Sequence, residues 1–241
     1  MSESEPLSSP NADQNPQPVP STPGMPLRAE PMSAVIASPL AMVETAFLAS
    51  TTALIWLINY YFPTGPILRM FFPIPAALSY LRWGKRAAWM TALVTSLLVA
   101  VLMGPPRSLQ FLMPYGLVGV LLGGLWRRRV GWLVSIGWGL LVVTAGFFFQ
   151  VGLLSLLLGT NLWLYLNRQV IGLLDWLFVK LGVLIEPDII LIQLVAVGLI
   201  VLNSFLYLLL VHLVAWLLLE RLGNSIPAPP RWLQVLLDYQ E

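Results

Sequence analysis

The sequence predicts an all-α, polytopic membrane protein with about six transmembrane helices and one amphipathic outer segment. Three observations carry that prediction. Of 241 residues, 58% are hydrophobic and 10% charged, whereas a soluble domain carries about 25% charge. So little charge cannot solvate so much apolar material in a water-soluble fold of this size. The mean hydropathy is +0.80, far on the apolar side. The apolar residues also fall in long runs, several near the ~20 residues that cross a hydrocarbon core about 30 Å thick.

Counts narrow the chemistry further. The chain has no cysteine and one histidine, His212, which removes disulfides, thiolate sites and conventional zinc or haem ligation. No metal or other cofactor is expected. The formal charge of +2 and the pI near 9.1 follow from membrane topology rather than from nucleic-acid binding.

Residues 1–38 hold eight of the 20 prolines, with Ser, Asn and Gln between them. Such a composition cannot bury enough surface to offset its ordering entropy, and it predicts a disordered cytoplasmic tail. The tail does not resemble a cleaved signal peptide, since the first apolar run follows a polar stretch and exceeds the length of a signal core. The bundle is expected over 39–221.

The first span covers 40–62 and is broken by Pro63-Thr-Gly-Pro66. The run 70–81 is short and carries Pro73 and Pro75, which predicts a kinked or half-penetrating helix buried among its neighbours. Arg82-Trp-Gly-Lys-Arg86 closes it. The third span is 87–103, and Gly104-Pro-Pro-Arg-Ser108 ends it. The fourth is 109–126, ending in Trp126-Arg-Arg-Arg129. The fifth runs from Val130 to Leu158, long enough to require tilt or bend. Residues 161–185 are amphipathic and contain Asn167, Arg168, Gln169, Asp175 and Lys180. The last span is 189–219. A C-terminal tail over 222–241 finishes with a short amphipathic run, Arg231 to Tyr239.

With the N-terminus inside and six crossings, nine of the 13 Lys and Arg fall inside and four outside, namely Arg69, Arg107, Arg168 and Lys180. That asymmetry agrees with the positive-inside rule and puts both termini in the cytoplasm. A seventh span over 161–185 would bury Arg168 and Asp175 at about 2.5–3.5 kcal/mol each. Six spans with an interfacial or re-entrant 161–185 is therefore the expectation.

Small residues recur at spacing four in the first span: Ala41, Thr45, Ala49 and Ala53. They share one helical stripe, which suits close helix approach in lipid. Two uses remain open, packing within the chain or docking a separate membrane subunit. Gly116, Gly119 and Gly123, and Gly131, Ser135 and Gly139, form similar faces on the fourth and fifth spans and are expected to pack on each other. Polar residues gather toward the outer face, where Arg107, Gln150, Asn161, Arg168 and Asn203 are the candidate ligand-binding set. Buried polar groups need partners, and several converging from different spans can line a pocket for a small molecule. Gln150 and Asn203 could equally bond each other or backbone. His212 is expected to bond a facing helix.

Enzyme signatures are lacking. The sequence contains no His-Glu-x-x-His, P-loop, Gly-x-Gly-x-x-Gly or Gly-x-Ser-x-Gly. A non-enzymatic protein is expected.

Phe71-Phe-Pro-Ile-Pro-Ala-Ala-Leu-Ser-Tyr-Leu-Arg-Trp-Gly-Lys-Arg-Ala-Ala88, the break at Met103-Gly-Pro-Pro106, and Tyr115-Gly-Leu-Val-Gly-Val-Leu-Leu-Gly-Gly-Leu-Trp-Arg-Arg128 resemble the uncharacterised YybS-like bacterial membrane proteins. Those are distantly similar to the S components of energy-coupling-factor vitamin transporters. The resemblance covers roughly 40–219 and implies a six-helix bundle in the bacterial inner membrane. It also implies a vitamin-like ligand near Arg107, Gln150, Asn161 and Asn203, and a transmembrane coupling subunit docked on Ala41, Thr45, Ala49 and Ala53. The proline-rich tail suggests a cyanobacterium, where the thylakoid is a second candidate membrane. The tail and the 161–185 insert depart from the S-component pattern. The alternative of another class is a scaffold or assembly factor for a larger membrane complex.

Overall fold

A computed structural model describes residues 32–62, 66–181 and 188–223. The predicted tail over 1–31 and the C-terminal segment from 224, with its amphipathic run, lie outside the described residues. Within them the fold is helical throughout and contains no strand.

Helix α1 (Met32–Tyr61) begins inside the segment assigned to the tail and continues through Pro39. No glycine or proline between 32 and 38 stops it. Its hydroxyl residues turn inward on their own backbone. Thr45, Ser50, Thr51 and Thr52 each donate to the carbonyl four residues earlier, at 2.6–2.9 Å, which satisfies them without water.

The second crossing uses little helix. A single turn, α2 (Pro66–Arg69), and an irregular stretch lead into α3 (Ile74–Trp83), only ten residues long. Ile74 to Ser79 are all buried. Non-helical backbone at membrane depth is tolerated where protein rather than lipid surrounds it. Trp56 of α1 stacks near Phe72, with centroids 4.8 Å apart, while Glu44 pairs with Arg82 and accepts from Trp83 Nε1. The α2–α3 segment therefore runs antiparallel to α1 and completes a crossing.

Gly84, at φ 91°, makes the reversal into α4 (Lys85–Met103), a conformation that disfavours any Cβ. Here the small-residue stripe is covered. Ala49 and Ala53 are 0% and 2% exposed and Thr45 4%, with Ala41 half-buried. Thr95 of α4 donates to the Ala49 carbonyl at 3.2 Å. The stripe packs largely within the chain, the first of the two uses its spacing allows.

The fourth crossing is α5 (Pro105–Phe111), a π-helical turn at Leu112–Gly116, and α6 (Leu117–Arg127), interrupted at Met113. α6 lies so close to α3 that a Cβ at Gly123 would fall 2.5 Å from Tyr80 Cβ, and one at Gly119 2.6 Å from the Pro73 carbonyl. Gly119 and Gly123 therefore serve α3, and Gly116 meets Ala92 of α4, rather than the fifth span. The expectation that the two faces pack together is corrected.

α7 (Trp132–Leu158) uses its own small face against α9 (Ile189–Arg221). A Cβ at Gly139 would meet Leu208 Cδ2 at 2.9 Å. Ser135 Oγ lies 3.0 Å from His212 Nε2, and His212 Nδ1 lies 2.8 Å from the Leu208 carbonyl. A carbonyl only accepts, so Nδ1 carries the proton and, in the neutral ring, Nε2 accepts from Ser135. These contacts pair the start of α7 with the end of α9, so the two helices are antiparallel.

That orientation decides the intervening segment. Leu158 and Asp188 must sit at the same end of the bundle, so α8 (Leu162–Leu181) makes no net crossing. Asn161, Arg168, Gly172 and Asp175 are exposed along it while Leu174 is buried. Five helices or helix pairs are long and apolar enough to cross a membrane, and the short, buried α2–α3 segment supplies the sixth crossing. Only 11% of the residues in the most apolar window of α7 are buried by protein, and its exposed apolar side chains suit lipid.

Candidate functional site

One end of the bundle carries Arg82, Lys85, Arg86, Arg127, Arg128, Arg129 and Arg221, at the start of α4 and the ends of α3, α6 and α9. The other end is built differently. The chain ends of α1, α2 and α5 meet there over α7 and α9, around two adjoining cavities of about 310 and 390 Å³. Arg69, Tyr115 and Gln150 line both.

Aromatic rings form the floor and walls. Trp56 meets Phe111 and Tyr115 edge-on, each at 5.5 Å between centroids, and Tyr115 meets Phe72 at 5.2 Å and Tyr207 at 6.1 Å. Such edge-to-face contacts hold rings rigidly. The Trp56 indole Nε1 is buried without a hydrogen-bond partner among the described residues.

Two cations crown this cluster. Arg107 lies 4.5 Å above the Tyr60 ring and donates to Gln110 Oε1 at 3.3 Å. Arg69 is exposed at the rim, and its carbonyl accepts from the Tyr207 hydroxyl at 3.2 Å. The one ion pair among the described residues is Arg82 with Glu44 at the opposite end. Neither pocket arginine forms an ion pair with a carboxylate among the described residues. Guanidinium groups beside flat rings are chemically able to hold an anion.

The predicted set divides. Arg107 and Gln150 line one cavity, and Gln150 and Asn203 line the other. Gln150 also has a structural task, because its amide donates to the carbonyls of Gln110 at 3.0 Å and Met113 at 3.3 Å. Asn161 lines neither cavity; its Oδ1 accepts from the backbone of Trp163 and Leu164 and caps α8. Arg168 is exposed on α8 and also lines neither. Arg69, Tyr115, Trp56, Phe72 and Tyr207 also line or wall the cavities and lie outside the set the sequence predicts. No shared position in the sequence marks them, since Phe72 opens its short segment while Tyr207 sits near the middle of α9.

Fold and site together define an α-helical integral membrane protein with a basic, aromatic-walled pocket at one end. The chain belongs to a family of predicted membrane proteins, DUF2232, whose model matches residues 50–237. The matched region contains every pocket residue named above. No curated protein and no solved structure matches the chain.

Proposed function

We propose that this protein captures a small anionic solute bearing a planar or apolar body at the outer face of a bacterial membrane, as a non-enzymatic binding protein of S-component-like design. The observation that carries this reading is the pairing of Arg69 and Arg107 over an aromatic cluster with no ion pair to a carboxylate among the described residues. A carboxylate or phosphate would be held by the guanidinium groups, and a flat body would lie between Trp56, Tyr60 and Tyr115. The concentration of basic residues at the opposite end supports an outward-facing pocket and cytoplasmic chain ends. Energy for uptake would come from a partner, and that partner would need a surface other than the α1 stripe.

The test is thermal unfolding of the detergent-purified chain with matched solutes, each aromatic carboxylate or phosphate paired with its neutral amide or alcohol. Binding raises apparent stability by RT ln(1 + [L]/Kd), about 2.7 kcal/mol at a hundred times Kd. Stabilisation by charged members alone supports the reading. Equal response to both members, or response to none across a broad panel, contradicts it.

A further inference from the structure

We propose that a cleft at the basic end of the bundle, between α3, α4 and α6, is a binding site for one anionic glycerophospholipid. This site is separate from the solute pocket and does not depend on it. The cleft has a volume of about 390 Å³ and no acidic residue in its lining.

Its two halves differ in chemistry. At the membrane edge it presents Lys85, at the start of α4, and Arg128, at the end of α6. Both are exposed, and neither forms an ion pair among the described residues. Their neighbour Arg127 is committed elsewhere, donating to the Tyr80 carbonyl at 3.1 Å and bracing the α3–α4 turn. Deeper along α6 the wall becomes apolar, with Leu125, Leu121 and Leu117 following one another on a single stripe. From Arg128 to Leu117 the stripe descends about 16 Å at 1.5 Å per residue, close to the ~15 Å depth of one leaflet's hydrocarbon.

Two aromatic side chains mark the boundary. Trp89 sits one turn below Lys85. Tyr80 reaches over Gly124, where a Cβ would meet its hydroxyl oxygen at 3.3 Å, so the missing side chain opens the cleft. A soluble anion has no use for a leucine wall a leaflet deep. Topology alone accounts for basic residues at this end, but not for a leucine-walled groove beneath two of them that form no ion pair among the described residues. An amphiphile with a negative head and a long acyl chain satisfies both halves.

The test is native mass spectrometry of the detergent-purified chain with phosphatidylglycerol or phosphatidylcholine of equal chain length. We expect one phosphatidylglycerol to be retained at least tenfold more than phosphatidylcholine. K85A combined with R128A should abolish that preference, whereas R86A combined with R129A, which removes the same charge outside the cleft, should leave it intact. Leu121→Trp fills the groove without changing charge and should also reduce retention. Equal retention of the two lipids would overturn the proposal. So would equal losses in the two charge variants, which would mean diffuse attraction, or undiminished retention in Leu121→Trp.

Discussion

The side-chain amide of Gln150 donates to the carbonyl of Gln110 at 3.0 Å, the acceptor that Pro114 leaves without a helical donor four residues on. A proline inside a helix frees the carbonyl four residues earlier, and in lipid no water repairs the loss. The fifth span supplies the repair to the fourth. Glycine at 146 brings the two helices together there, since a Cβ would clash with Pro114 Cβ.

Gln150→Leu should therefore destabilise the protein by about 1–3 kcal/mol, the cost of a buried polar group left without its partner. Thermal unfolding in detergent measures it. An unchanged midpoint would mean that the α5–α6 kink needs no support from α7.

Arg69→Ala and Arg107→Ala should each weaken binding of an anionic solute about tenfold or more, the scale of one lost charge-assisted hydrogen bond. The unliganded midpoint should move little, because neither guanidinium is held by an ion pair among the described residues. A variant that lowers the unliganded midpoint as much as it weakens the ligand response would make the arginine structural.

Gly123→Ala should destabilise strongly, because its Cβ would meet Ala77 Cα at 2.9 Å, and backbone cannot step aside. Gly137→Ala is its control, with nothing within 4 Å of the added carbon, and should be neutral or slightly stabilising through helix propensity. Equal effects would show that α3 and α6 are farther apart than described.

Ala49→Leu separates the two uses of the α1 stripe. Ala49 is fully buried against α4, so overpacking should cost about 1–3 kcal/mol of the chain's own stability. A variant that melts normally but loses a co-purifying membrane subunit would restore the docking use.

Much of the architecture was readable in the residues. Proline, glycine and arginine runs mark the span ends, because they break helices or resist entering lipid. The span over 70–81 with its two prolines reads as short and buried, and α3 is so. Partners were harder to read. Glycine spacing on the fourth and fifth spans says that something approaches closely, not which helix does. Two faces joined by a short loop invite the wrong pairing, and α3 and α9 occupy them instead. The site was half legible for the same reason. Arg107, Gln150 and Asn203 attract notice as polar groups near lipid, while Trp56, Phe72 and Tyr207 resemble any other apolar residue until the rings meet. Asn161 and Arg168 share a helical face with Asp175, but that face turns outward.

The antiparallel pairing of α7 with α9 keeps α8 from crossing and sets the pocket opposite the basic end. The chain has no cysteine, so single cysteines at Thr160, Asp188 and Arg129 can be labelled with a membrane-impermeant maleimide in intact cells. We predict labelling at 160 and 188 from outside and at 129 only after permeabilisation. Labelling of 160 and 188 from opposite sides would make α8 a span and contradict the account.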